Sequence, residues 1–117
     1  MIFPQKHNLY LFKGATFDYL FIWKDESGAL VNLTGYTARM HMREKIDSAA
    51  PFLSFSTSDS SILLGGAAAT IQMKASAAAT SAITATEGVY DLELVAPSGD
   101  VVRFLEGLVI ISGEVTR

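Results

Sequence analysis

Hydrophobic and polar positions alternate with a period of two along most of this chain, the spacing that sends successive side chains to opposite faces of a β-strand. Residues 36–44 show it cleanly, with Ala38, Met40 and Met42 on one face and Arg39, His41 and Arg43 on the other. Residues 89–94 repeat it, setting Tyr90, Leu92 and Leu94 against Asp91 and Glu93. The same pattern predicts strands at 8–12, 16–23, 52–56, 62–64, 69–74 and 101–112, with a short extended piece at 30–33. In the second of these, Phe17, Tyr19, Phe21 and Trp23 share a face. Turn chemistry separates the runs: Lys13-Gly14, Asp25-Glu26-Ser27-Gly28, Thr34-Gly35, Gly65-Gly66 and Pro97-Ser98-Gly99-Asp100. The last predicts a hairpin joining the final two strands. Only residues 76–83 read as helix, capped by Ser76 and favoured by alanines, and too short to be stable without docking on the sheet.

Seven or eight short strands punctuated by turns predict an all-β fold, an immunoglobulin-like antiparallel β-sandwich with one short helix. A small closed barrel is the alternative. Residues 1–117 have the length of one domain, with no linker or repeat in the pattern.

Composition narrows the function classes. Half of the residues are hydrophobic and 18% are charged, against roughly 25% charged in an average soluble protein, so part of the surface is expected to be hidden in an assembly. The net charge is -3, and the nine Lys and Arg are scattered. A nucleic-acid binder needs a basic face, so that class is excluded. The chain has no cysteine, hence neither a disulfide framework nor a thiolate metal site. The N-terminus lacks the design of a signal peptide, and no apolar run, 108–111 included, approaches the ~20 residues of a membrane helix. A protein made in the cytoplasm, with no membrane partner, is the expectation.

Candidate chemistry is sparse. His7 and His41 stand far apart, and His41 projects between Arg39 and Arg43, where positive charge discourages a cation. No metal-ligand spacing, calcium loop, phosphate loop or nucleophile elbow is present. Asp91 and Glu93 share one strand face, where Arg103 across the hairpin is a natural ion-pair partner rather than a cleft. The expectation is no enzyme, no cofactor and no metal. Trp23 falls on the Phe17/Phe21 face, which makes it a core residue before it is a sugar platform.

The exceptions to alternation point to contacts. Leu20 and Ile22 oppose an already apolar face, and 108–111 is apolar throughout. A sheet with one wet face should alternate, so these strands are covered either by the short helix or a loop, or by another subunit. Candidate interface residues are therefore Leu20, Ile22, Leu108 and Ile110. Arg39, His41 and Arg43 add a modest positive stripe, and Ile2 and Phe3 a terminal arm, with Val115, Thr116 and Arg117 at the other end.

Several segments together carry a resemblance. Phe17-Asp18-Tyr19 through Trp23-Lys24-Asp25-Glu26-Ser27-Gly28, then Val31-Asn32-Leu33-Thr34-Gly35-Tyr36-Thr37-Ala38-Arg39-Met40, resemble small structural proteins of tailed phages, in particular the N-terminal domain of the phage baseplate upper protein. Gly88-Val89-Tyr90-Asp91-Leu92-Glu93-Leu94 and Arg103-Phe104-Leu105-Glu106-Gly107 match the same style, so the resemblance spans 11–117. It implies a non-enzymatic, oligomeric tail, baseplate or fibre-anchoring component of a virion, assembled in the host bacterial cytoplasm. Its implied partners are other virion proteins, copies of itself included. A head-decoration (cement) protein is one alternative, a carbohydrate- or receptor-binding module another. The chain departs from the baseplate protein in stopping where that protein continues into helical and fibre-binding parts.

Overall fold

The computed structural model describes residues 5–115. Nine strands follow in chain order: β1 (Gln5–Lys6), β2 (Leu9–Phe12), β3 (Phe17–Ile22), β4 (Thr37–Arg43), β5 (Leu53–Ser56), β6 (Ile62–Leu64), β7 (Thr70–Ala75), β8 (Glu87–Val95) and β9 (Val101–Ser112). One short helix, α1 (Ala77–Ser81), connects β7 to β8. They form two sheets. The larger has the order β1-β9-β8-β4-β5, with β2 also on β9; the smaller is β3-β7-β6. This is an all-β, immunoglobulin-like sandwich.

Alternation builds the core. From β4 the inward Ala38, Met40 and Met42 are buried, and from β8 so are Tyr90, Leu92 and Leu94. Phe17, Ile71 and Met73 of the smaller sheet close on them, with Leu9, Leu11 and Val109 at one side and Phe55 and Ile62 at the other. Burying a side chain of this size contributes about 1.5–3 kcal/mol, so these few rows dominate the stability.

Two features modify the antiparallel expectation. β1 and β2 pair with β9 in parallel, so the chain's first and last strands lie side by side. Within the β8–β9 hairpin the register shifts between Leu92 and Glu93, which are opposite Leu105 and Arg103, leaving Phe104 as an extra residue. That bulge turns both Phe104 and Leu105 inward. Beyond it strict alternation resumes: Val109 is buried while Leu108 and Ile110 are exposed. The apolar run at 108–111 is thus an ordinary half-buried strand whose outer side is uncovered.

Boundaries agree with the pattern to within a residue or two, with three differences. β1 has no alternating signal, being held by its parallel pairing and by the His7 N–H donating to the Glu106 carbonyl at 2.9 Å. The extended piece at 30–33 reduces to a single bridge, Lys24 with Leu30. The helix docks on the end of the sandwich and not on a sheet. Ser76 Oγ accepts from the Ala79 N–H at 3.1 Å, as an N-cap should. The buried Thr80 hydroxyl accepts from the Gly14 N–H at 3.1 Å and lies 2.9 Å from the Ala15 carbonyl it donates to. Neither sheet's outer face is covered by it.

Candidate interaction surfaces

The outer face of the larger sheet is a ladder of charge at one end and apolar at the other. Strand register sets the rows. Lys6, Glu106, Asp91, His41 and Ser54 stand in one row across five strands, and Arg103, Glu93, Arg39 and Ser56 in the next. Opposite signs meet within and between the rows: Arg39 to Glu93 at 2.8 Å, Arg103 to Asp91 at 3.6 Å and Arg103 to Glu106 at 3.6 Å. These pairs are substantially exposed, so each contributes well under about 1 kcal/mol. Their effect is to leave the face close to neutral. Arg43 is also engaged, donating from Nη1 to the Ser48 carbonyl at 2.9 Å and lying 3.3 Å from His41 Nδ1. Arg39, His41 and Arg43 therefore do share one side of β4, but as members of a neutralised ladder.

A depression of about 560 Å³ opens over this face between Lys6 and Asn8 on one side and Arg43 and Ile46 on the other. Its acids, Asp91 and Glu106, both face Arg103. Among the described residues no group of three or more His, Asp or Glu is arranged to hold a metal, and no helix is long and apolar enough to cross a membrane.

A carboxyl that serves as a general acid near neutral pH needs a raised pKa. The shifted carboxyls go the other way. Asp25 is held below its ordinary range by the Ser27 hydroxyl first and by the Ala29 N–H next. Asp59 is lowered likewise by Ser61. Both are acceptors that close loops. Tyr90 is pushed up by burial, and its hydroxyl donates to the His7 carbonyl where β1 breaks into β2.

Beyond the charge ladder, Tyr10 of β2 is in register with Ile110 of β9, and Phe12 and Leu108 lie beside them. All four are 40% or more exposed. On the opposite side of the molecule, the smaller sheet turns Leu20, Ile22 and Leu63 outward, each more than half exposed. Leu20, Gln72 and Leu63 form one row across its three strands. The candidates Leu20 and Ile22 are thus together, as are Leu108 and Ile110, but the two pairs face away from each other. Tyr10, Phe12 and Leu63 complete the patches; their strands were legible, but the side each would turn outward depends on which sheet the strand joins. Ile2, Phe3, Thr116 and Arg117 lie outside the described residues. Trp23 packs on Phe104 (ring centroids 5.2 Å) and Tyr36 (6.4 Å), so it is not a free platform.

No protein-family model and no curated protein matches this chain. Solved structures do. The extracellular domain of the voltage-gated sodium channel β4 subunit, described as a parallel homodimer with a role in cell–cell adhesion, is 8% identical with a TM-score of 0.48, covering 98% of each chain. A voltage-gated sodium channel β-subunit structure, described through photo-crosslinking of its multimeric cell-adhesive interactions, is 10% identical with a TM-score of 0.43, covering 99% of this chain and 98% of the other. Extracellular domains 3–5 of Drosophila OTK are 11% identical with a TM-score of 0.39, covering 89% of this chain and 32% of that one.

The sodium channel β4 and OTK structures are extracellular domains, the other is described through cell-adhesive interactions, and none is a phage protein, which overturns the resemblance to the baseplate upper protein. The tail, baseplate, fibre-anchoring and head-decoration readings fall with it, as does localisation to a virion. The physical reason lies in what the shared residues do. Asp25 Oδ1 accepts from the Ser27 N–H, the Ser27 hydroxyl and the Ala29 N–H, and Gly28 takes a φ of +85°. Asn32 Oδ1 accepts from the Thr34 N–H and hydroxyl ahead of Gly35, whose φ is +83°. Such motifs are the local requirements of corners in a sandwich, and chains of separate origin meet them with the same residues.

Proposed function

We propose that this protein is a non-enzymatic contact module whose working parts are its outer strand surfaces, and that it self-associates. The observation that supports this best is the outward side of the smaller sheet. Leu20, Ile22 and Leu63 are each more than half exposed there, and no described element covers them. Three large apolar side chains on one small sheet face exceed the scatter of single exposed residues normal for a monomer. The inward faces are filled, Asp91, Glu93 and Glu106 are in ion pairs, and Asp25 and Asp59 close loops, so the uncovered apolar row is what a partner surface explains.

Sedimentation velocity over a concentration series from low micromolar to submillimolar tests this. A weight-average mass rising with concentration is expected, with Leu20→Ser/Ile22→Ser abolishing the rise and leaving thermal unfolding cooperative. A mass that stays at one chain throughout would sink the reading.

A further inference from the structure

On each side of the larger sheet one residue's outward backbone groups are bonded by a hydroxyl from the smaller one. The Tyr19 phenol accepts from the Tyr10 N–H at 2.9 Å and donates to the Tyr10 carbonyl at 3.3 Å, taking the place a neighbouring strand would occupy beside β2. On the far side the Ser61 hydroxyl accepts from the Ser56 N–H at 2.8 Å and lies 3.3 Å from the Ser56 carbonyl, doing the same for β5. Open edges invite other chains to pair, and these two are blunted.

Of the smaller sheet's two outer strands, β3 and the three-residue β6, the longer, β3, is not. The Trp23 N–H donates to Ala69 next to β7, so the backbone groups of Phe17, Tyr19, Phe21 and Trp23 point toward β7. By the alternation of an antiparallel ladder, those of Asp18, Leu20, Ile22 and Lys24 point the other way. The returning segment does not cover them, because Val31 bonds to the Trp23 carbonyl at 3.0 Å and Asp25 to the Ala29 carbonyl at 2.8 Å. Among the described residues no hydrogen bond reaches the backbone N–H or C=O of Asp18, Leu20, Ile22 or Lys24. The Tyr19 hydroxyl bonds the backbone of Tyr10 on β2, but β2 belongs to the other sheet and does not pair with β3.

We infer that β3 pairs with β3 of a second copy, antiparallel, about a two-fold axis passing at Phe21. The register follows from the sequence. Only pairings that set even-numbered residues against even-numbered ones keep the two outward faces together. With the axis at Phe21, Leu20 meets Ile22 of the copy and Asp18 meets its Lys24, each pair then repeated by symmetry. Two apolar pairs are thereby flanked by two opposite-charge pairs, in which Lys24 of the copy joins the contacts Asp18 already makes to Lys74 at 4.0 Å and Gln72 at 3.1 Å, and every residue involved directs its backbone groups at the partner. Moving the axis to Leu20 would set Asp18 against Ile22; moving it to Ile22 would set Leu20 against Lys24 and Asp18 against Glu26. Charge complementarity selects the first. The interface is isologous and extends the three-stranded sheet to double width, merging the two outward apolar faces.

This inference deepens the self-association proposed above and rests on it, so the test separates the two. The chain has no cysteine, which makes Phe21→Cys a clean reporter. Directly opposed residues of a non-hydrogen-bonded pair lie about 4.5 Å apart at Cα, close enough for a disulfide. Mild oxidation is expected to give a covalent dimer of Phe21→Cys and none of Leu63→Cys. Leu20→Pro, whose lost N–H makes no bond to β7, should give a monomer that still unfolds cooperatively. Lys24→Asp should weaken the dimer about tenfold, and Asp18→Lys/Lys24→Asp should restore it, as expected for two cross-strand charge pairs reversed together. If the wild type is monomeric, both proposals fall. If it dimerises but Phe21→Cys does not cross-link, the charge reversal rescues nothing, and Tyr10→Ser/Ile110→Ser dissociates it instead, self-association stands and the β3 interface is wrong.

Discussion

Ser60 and Ala69 are the two non-glycine residues with positive φ among the described residues, at +66° and +59°. An L-residue in that region carries about 1–2 kcal/mol of strain, part of which glycine returns as unfolded-chain entropy. Ser60 is exposed, so Ser60→Gly should raise stability by roughly 0.5–1 kcal/mol, read from the midpoint of chemical denaturation. Ala69 is fully buried, and losing its methyl group removes about 0.8 kcal/mol of burial. Ala69→Gly should therefore come out close to neutral; equal gains at both sites would show that burial at Ala69 is not what opposes the strain relief. Tyr90 gives a pH-dependent counterpart. Its folded pKa is raised above the ordinary value of 10 by burial, so its contribution is fully present below pH 10. It is lost as pH rises from there through the folded pKa, because the unfolded chain ionises first. Tyr90→Phe should cost about 1–2 kcal/mol at neutral pH, since the His7 carbonyl loses its donor. The same variant should lose less stability than the wild type between pH 9 and about pH 11 in parallel thermal melts.

At the scale of elements, the kink between β1 and β2 is fixed from three sides. Tyr90 donates to the His7 carbonyl, the Leu108 N–H donates to Asn8 Oδ1 at 3.2 Å, and Gly107 leaves room for the turn. A Cβ at Gly107 would stand 2.5 Å from the His7 carbonyl oxygen. Gly107→Ala must push β1 away and should destabilise by about 1–3 kcal/mol, with loss of amide-exchange protection concentrated in residues 5–12. Uniform loss across the sandwich would show that the strand is not held there. Tyr19→Phe acts on an edge instead. It leaves packing intact and frees the Tyr10 N–H and C=O, so it should change stability little and raise slow association and thioflavin binding on prolonged incubation. How much of this was legible in sequence follows from range. Strands with one wet face, β4 and β8 above all, write their faces and limits into the alternation, and the inward sets Ala38/Met40/Met42 and Tyr90/Leu92/Leu94 follow from it directly. Arg103 as partner of Asp91 was legible because the turn at 97–100 brings the two strands together. Glu93 finds Arg39 instead, a contact made by the β4–β8 pairing between residues 54 apart in sequence. The β1 strand shares that long-range character, since Gln5 pairs with Leu105. The phage resemblance failed for the complementary reason: its residues answer to local turn geometry, which many sandwiches share.

For the whole molecule, the placement of the apolar residues decides what kind of assembly can form. Leu20, Ile22 and Leu63 occupy one outer side and Tyr10, Phe12, Leu108 and Ile110 the other. Joining one side of a molecule to the opposite side of the next is a heterologous contact, which propagates without limit unless its rotation closes a ring. Pairing β3 with its own copy is isologous and occupies the β3 edge of both molecules, so this contact closes at two, the remaining β6 edge being only three residues long. The net charge of -3 doubles in such a pair and opposes further growth at low salt. The expected sedimentation profile is therefore a plateau at twice the chain mass, unchanged by Tyr10→Ser/Ile110→Ser and shifted to higher concentration by Lys24→Asp. Continued growth past two, suppressed by changing Tyr10 and Ile110, would instead mean that the two sides stick to each other.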